Sequence, residues 1–426
     1  MMNRLLPLFL LLFIGNYSIA QVENAVEDRS ILSLPVFYYD AVSYPSSDTG
    51  KTRVDIFIQV PYNQIQFIKS KDKFLAEYLV TISIYDEHRL RLLSEKSWTE
   101  KIETADFDIT ISRNNSNLSL KSFSLQPNNY LIRIEVEDKD SRKNYSYSNV
   151  YKVEDFSDSL AMSGIMLISS KSNTDGNSKV IPNISGNIVQ QKGMIPFFYE
   201  VYSDSKKNIV LNYLIVNKQQ ETIYSNTIDY TIDSGRNQIF YQIENLDVSI
   251  GEYLLQINLK NDQLQTLVTS SKSFYSRHIG IPESIKDLDK AIEQMIYIAN
   301  TSDLKFIKEA SNYEAKLDRF LSFWKLRDPN PSTLENEIFN EYFRRVEYSN
   351  KTFSSYMEGW KSDMGMVYII LGAPNNVDRH PFDYDSKPYE IWEYYNINRQ
   401  FVFVDRTGFG DYRLATPLYG DNYRFR

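Results

Sequence analysis

Between residues 34 and 153, apolar side chains recur at every second position. Val54, Ile56, Ile58 and Val60 form one stripe, and Ala76, Tyr78, Val80, Ile82 and Ile84 form another. A period of two puts such residues on one face of an extended chain, so both stretches read as half-buried strands. Pro61 and the Lys-rich Ser70-Lys71-Asp72-Lys73 separate them, which predicts a hairpin-like connection. Leu125-Gln126-Pro127-Asn128-Asn129-Tyr130 then leads into Leu131, Ile132, Ile134 and Val136. A second version follows, with Leu246-Asp247-Val248-Ser249-Ile250-Gly251-Glu252-Tyr253 leading into Leu254, Leu255, Ile257 and Leu259.

In both passages a turn delivers a tyrosine to the start of a strand. That resembles the tyrosine corner of immunoglobulin-like sandwiches, whose phenol bonds back to nearby backbone. The fold class expected is therefore multidomain, with two tandem β-sandwich domains of immunoglobulin or fibronectin type. They would span residues 30–155 and 160–278, with the boundary near Asp155–Leu160.

The period changes after Ile281-Pro282. Pro282 suits a first helical turn, with Glu283 and Asp287 near its positive end, and Ile285, Leu288, Ile292, Met295 and Ala299 recur at helical spacing. A second helix is expected from Ser302 through Leu304, Ile307, Leu317 and Leu321 to Trp324, stopped by Asp328-Pro329-Asn330-Pro331. Ser332-Thr333-Leu334-Glu335 has the capping-box pattern and predicts a third, with Leu334, Ile338, Tyr342 and Val346 on its face. Residues 281–326 read as a helical linker region. Residues 328–426 read as a small C-terminal α+β module: a helix over Asp363–Leu371, a polar loop from Asn375 to Pro388, a hairpin of Tyr389–Tyr395 and Gln400–Asp405, and a last strand at Tyr412–Leu414.

Composition narrows the setting. Arg4, the apolar run Leu5–Ile14 and Ser18-Ile19-Ala20 have the order of a secretory signal peptide over residues 1–20, with Gln21 opening the mature chain. The apolar run is shorter than the ~20 residues a membrane span needs. The chain has no cysteine, which removes disulfides, thiolate metal sites and a lipidated N-terminal Cys. A net charge of -8 argues against a nucleic-acid partner. The expected location is the periplasm or the outer membrane, with the cell surface as the further option.

The densest cluster of unusual residues is Gly359-Trp360-Lys361-Ser362-Asp363, followed by Gly365, Tyr368, Gly372 and Pro374. Ser362 or Asp363 can cap the helix that follows, and Gly372 with Pro374 can stop it. This segment resembles the GWxTD domain, a family of exported Gram-negative proteins, with Ser362 where the motif usually has Thr. The resemblance is specific over about Asp328–Leu414 and implies no established activity. A weaker likeness, in Gly365-Met366, Leu371-Gly372-Ala373-Pro374, Trp392-Glu393-Tyr394 and Phe401–Asp405, is to BamE/SmpA-type accessory modules of outer-membrane assembly. It implies a non-catalytic module that binds other envelope proteins.

Only three histidines exist, His88, His278 and His380, in three different regions, so no histidine metal site or hydrolase triad is expected. Asp378, His380 and Asp383 are the one cluster suited to acid–base work or to a cation. No catalytic residue, metal or cofactor is assigned. Gly359, Trp360, Ser362, Asp363, Gly365, Tyr368, Gly372, Pro374 and Trp392 are the candidate partner-binding residues. The expected function is that of a non-enzymatic exported scaffold whose C-terminal module docks an envelope protein, such as an outer-membrane barrel or its assembly complex. The alternative is a carbohydrate-binding or glycan-processing protein using acids of the 375–388 loop. A surface adhesin is the third reading.

Overall fold

The computed structural model describes residues 37–415 and Phe425, except 90, 113–114, 175–176, 190–192, 247, 279, 332–335 and 383–385. The leader-like segment therefore lies outside the described residues, as do Asp383 and the predicted capping box at 332–335.

The first unit runs through β1 (Tyr38–Pro45), β2 (Thr52–Pro61), β3 (Ile68–Ser70), β4 (Lys73–Asp86), β5 (Leu92–Thr104), the short helix α1 (Phe107–Thr110), β6 (Ser116–Leu125), β7 (Asn129–Asp138) and β8 (Asn144–Lys152). One sheet has the order β1-β2-β6. The other has β3-β4-β7-β8, with β5 also pairing β4. The two stripes seen in the sequence meet here, because Val54 to Val60 of β2 and Ala76 to Ile84 of β4 share one core with exposures of 0–1%. Each Val or Ile among them contributes roughly 1.5–3 kcal/mol by burial. The connection between them is a crossover from one sheet to the other and not a hairpin. Alternation along one strand says which face is buried but not which strand lies beside it, and β2 takes the distant β6. The Lys71-Asp72 turn closes the smaller hairpin of β3 and β4.

The second unit contains β9 (Leu160–Met162), β10 (Met166–Thr174), β11 (Asn177–Pro182), β12 (Asn187–Val189), β13 (Ile195–Ser203), β14 (Lys207–Asn217), β15 (Thr222–Ile232), β16 (Gly235–Ile243), β17 (Gly251–Lys260) and β18 (Thr266–Arg277). One sheet has the order β11-β10-β13-β16, with β9 also on β13, and the other has β12-β18-β17-β14-β15. A second core fills the space between them, built on Phe197, Tyr199, Leu211, Tyr213, Leu255 and Phe274. Both tyrosines singled out in the sequence bond back to the turn before them. The Tyr130 hydroxyl donates to the Gln126 carbonyl at 3.0 Å, and that of Tyr253 to the Ser249 carbonyl at 3.1 Å.

Among the described residues five further helices follow: α2 (Leu288–Gln294), α3 (Thr301–Lys308), α4 (Tyr313–Lys325), α5 (Glu337–Thr352) and α6 (Asp363–Leu371). The last sheet has the order β19-β20-β21-β22, from β19 (Asn376–His380), β20 (Tyr389–Tyr394), β21 (Arg399–Asp405) and β22 (Tyr412–Leu414). Three expectations change. The first helix begins at Leu288, where the Asp287 carboxylate accepts the Lys290 N–H, and not at Pro282. The long second helix is two, because Asn312 caps a new start within the apolar stripe. The loop from Asn375 holds a strand, β19, at the sheet edge.

Residues 281–326 are more than a linker. Leu288, Ile292, Phe320 and Trp324 share one core with Phe339, Tyr342 and Phe343 of α5, and with Trp360, Ile369 and Phe425. Ile250, in the turn before Tyr253, belongs to the same core, and its N–H donates to the Tyr313 hydroxyl at 2.8 Å. Helix α6 is apolar all round because it is buried on both sides, with Ile369 in this core and Val367 and Tyr368 against the last sheet.

Candidate functional site

The Gly-Trp pair sits in a single turn of 3-10 helix, Gly359–Lys361, laid across the end of α5. A Cβ on Gly359 would lie 1.8 Å from the Ser349 carbonyl oxygen, and one on Gly365 would lie 1.9 Å from the Gly359 oxygen. Neither position has room for any side chain. Trp360 is 3% exposed, its backbone N–H donates to Asn350 Oδ1 at 3.1 Å, and its carbonyl accepts the Tyr297 hydroxyl at 2.8 Å. Burial, with Asp363 nearby, pushes the Tyr297 phenol up to about 12, so it remains a donor throughout the physiological range.

Each remaining motif side chain also has an internal task. Ser362 caps α6, accepting the Gly365 N–H at 3.0 Å and donating to the Gly359 carbonyl at 2.7 Å. Asp363 accepts the Leu414 N–H of β22 at 2.8 Å. Gly372 ends α6 at φ 83°, a conformation that favours glycine. Beside it the Arg345 guanidinium donates to the Ile369 and Ile370 carbonyls at 3.2 and 3.3 Å, a cation at the negative end of the helix. Glu358 pairs with Lys290 of α2 and, at 2.9 Å, with Lys361. Its bonds to Lys290 and then Lys361 pull its carboxyl down to about 2.

Next to the motif lies a cleft of about 350 Å³ between the end of α5, α6 and the last sheet. Its apolar wall is aromatic, from Tyr348, Phe353, Tyr368, Trp392 and Tyr412. Tyr348 stacks on Tyr368 at 4.2 Å between ring centres, and Phe353 lies 5.4 Å from Trp392. The polar lining is ion-paired. Arg379 meets Glu390 at 3.4 Å, Trp392 Nε1 donates to Glu390 at 3.2 Å, and Asp411 meets Arg413 at 3.0 Å. Tyr356 bonds to Asp411, which raises its phenol pKa.

Two aromatic side chains next in sequence to lining residues stand in solvent, Tyr356 at 68% exposure and Phe409 at 88%. The loop bearing Phe409 is fixed by Asp405. Its Oδ1 accepts the N–H groups of Thr407 and Gly408 at 3.1 and 2.8 Å, and its Oδ2 accepts that of Gly410 at 2.7 Å. Burial opposes the charge on Asp405, but the Gly410 N–H and the Thr407 hydroxyl hold its carboxyl below the ordinary range.

Of the residues proposed from sequence, Ser362, Tyr368, Pro374 and Trp392 line this cleft. Gly359, Trp360, Asp363, Gly365 and Gly372 do not, and serve packing and backbone bonding instead. Asp378 and His380 meet at 3.1 Å on β19, and His380 stacks on Tyr389 at 4.3 Å, but neither lines the cleft. Asp383 lies outside the described residues. Among the described residues no group of three or more His, Asp or Glu is placed to hold a metal ion. Sequence reasoning missed Tyr348, Phe353, Glu390, Asp411 and Tyr412, which come from the end of α5, from β20 and from the start of β22.

A family model described as the GWxTD domain matches residues 251–414, so the match begins at β17 and is wider than the Asp328–Leu414 expected from the motif. No curated protein matches the chain. Among solved structures, similarity is found to a transglutaminase of red sea bream (7% identity, 60% of this chain and 34% of that one, TM-score 0.19). It is also found to a glycoside hydrolase family 2 β-glucuronidase (10% identity, 51% and 24%, TM-score 0.20). A third is the Pseudomonas fluorescens alkylpurine DNA glycosylase AlkC (12% identity, 22% and 27%, TM-score 0.17). The aligned parts span about a third or less of these proteins, and superpositions of this quality say nothing about function. No helix among the described residues is long and apolar enough to cross a membrane.

Proposed function

The chain carries a GWxTD domain across residues 251–414, and from that premise we propose a non-enzymatic scaffold of the Gram-negative envelope. In this reading two β-sandwiches of immunoglobulin or fibronectin type carry a C-terminal module that docks a protein partner. The sheet orders and the two tyrosine-to-turn bonds support the sandwich assignment. The observation that carries the docking assignment is the aromatic cleft with the exposed Tyr356 and Phe409 beside its lining residues. Exposed aromatics beside an apolar pocket are the composition of an interface hot spot, and a loop pinned by Asp405 loses little entropy on binding. The partner is an envelope protein offering an apolar side chain to the cleft. An outer-membrane barrel or its assembly factor is the first to seek, on the BamE-like run of residues. The leader-like segment at residues 1–20 supports export.

The test is recovery of the native protein from detergent-solubilised envelopes, with its companions identified. An envelope protein that co-purifies with the parent and is lost with Phe409→Ala or Tyr356→Ala supports docking. Trp360→Ala is the wrong variant for this purpose, because that side chain is core. A soluble monomer without companions overturns the reading.

One observation favours a sugar ligand as the second reading: Glu390 and Asp411 both line the same cleft beside aromatic rings. Each carboxylate is already engaged by arginine, which suits polar recognition better than proton transfer. Binding on a glycan array, abolished by Glu390→Gln, would select it over docking.

A further inference from the structure

A second cleft, of about 890 Å³, opens between the two β-rich units. β8 of the first and β18 of the second both line it, with Glu154, Asp155 and Asp158 of the segment that connects the units. Along this stretch each strand is paired on one side only. β8 pairs with β7, whereas β18 pairs with β17 along its length and with β12 only from Tyr275 to Arg277.

Strand geometry identifies the backbone groups left over. In an antiparallel ladder the N–H and C=O of one residue point to the same side, and successive residues alternate. The Asp138 N–H donates to the Lys143 carbonyl, and the Val153 N–H to the Asn128 carbonyl, both at 2.9 Å. Odd-numbered residues of β8 therefore face β7, and Ser148, Val150 and Lys152 turn their backbone groups outward. On β18 the Tyr275 N–H donates to the Gly186 carbonyl at 2.8 Å, on the side away from β17. By the same alternation Thr269 and Ser271 face that side, beyond the end of β12. Among the described residues none of these groups has a backbone partner. Sheltered, unpaired strand edges are a template for an added strand.

The side chains describe what would fit. Val150 at 56% exposure and Leu267 at 49% offer one apolar contact from each wall. Lys272 pairs with Asp40, and Lys152 with Glu154 at 3.2 Å. Asp155 and Asp158, both exposed, have no cationic partner among the described residues. We propose that this cleft receives an extended, basic peptide segment of a partner protein, added as a strand to the open edges of β8 and β18. Its main chain supplies the hydrogen bonds, alternate apolar side chains meet Val150 and Leu267, and Lys or Arg meets Asp155 and Asp158.

The experiment pans phage-displayed random peptides of about nine residues, a common strand length, against the full chain. Selected peptides are then measured by fluorescence anisotropy. Enriched sequences should alternate apolar and polar residues and carry Lys or Arg. Ser271→Pro should weaken them at least about tenfold, a loss of 1.4 kcal/mol. It removes an N–H that faces the cleft, and proline is tolerated where the lost donor points away from the ladder. A paired Asp155→Lys and Asp158→Lys variant should weaken them too, and it decides alone if Ser271→Pro fails to fold. Absence of enrichment over the Ser271→Pro chain overturns the proposal, as does equal binding to the parent and the charge-reversed variant. A self-association that Ser271→Pro abolishes, with no peptide bound, would assign the edge to a second copy instead.

Discussion

The carboxylate of Asp363 accepts the backbone N–H of Leu414 at 2.8 Å, so the first residue of α6 holds the last strand of the sheet. Leu414 is itself buried in the sheet core, so its N–H depends on this acceptor. Asp363→Ala should therefore cost about 1–3 kcal/mol, the penalty for leaving a buried donor unpaired. Asp363→Asn keeps an acceptor and should cost less. Urea unfolding followed by tryptophan fluorescence gives the difference, and amide exchange at Leu414 locates it. Equal stability of the alanine variant and the parent would refute the assignment.

Gly359 should be the least replaceable residue of the motif. An added methyl would sit 1.8 Å from the Ser349 carbonyl, and backbone on both sides would have to move. Gly359→Ala is expected to cost about 3 kcal/mol or more, at the upper end for overpacking. A thermal midpoint within about 2 °C of the parent would show that the turn relaxes freely.

Glu358 makes acid stability testable. Its carboxyl lies below its ordinary value, so its contribution is complete above the unfolded-state pKa, near 4.5, and is lost as pH falls toward about 2. The parent should lose stability across that window more steeply than Glu358→Gln. At pH 7 the glutamine variant should be less stable, by a small amount because the side chain is substantially exposed. Thermal midpoints from pH 2 to 7 give both curves, and parallel curves would remove Glu358 from the account.

Tyr130→Phe and Tyr253→Phe each delete one hydroxyl that donates to a turn carbonyl four residues earlier. Each should cost about 0.5–1.5 kcal/mol. The two sites lie in separate cores, so the double variant should show the sum. Denaturant midpoints of the four chains test this, and a clear departure from additivity would mean that the two β-rich units are coupled.

Local chemistry was legible where one short segment determines it. The Ser362 cap and the Gly372 stop fix α6, and alternation in β2 and β4 fixes their buried faces. Pairing over distance was not. β19 has only Val377 as an apolar residue and is a strand because Trp392 and its neighbours lie beside it. Asn312 divides a helix that the apolar stripe ran through, since a cap is a single polar residue and leaves the period intact. The motif and the run after it marked Ser362, Tyr368 and Pro374 but not the rest of the lining, because Tyr348, Arg379 and Tyr412 meet only after the helices and sheet have packed.

The helices from Leu288 onward share their core with Trp360, Ile369 and Phe425, and Ile250 joins it from the turn before β17. This sets the unit of inheritance. A genetic exchange that carried only residues 328–414 into another chain would deliver half of an aromatic core and leave the other half behind. The segment able to travel intact begins at the turn holding Ile250, one residue ahead of the point where the family match starts.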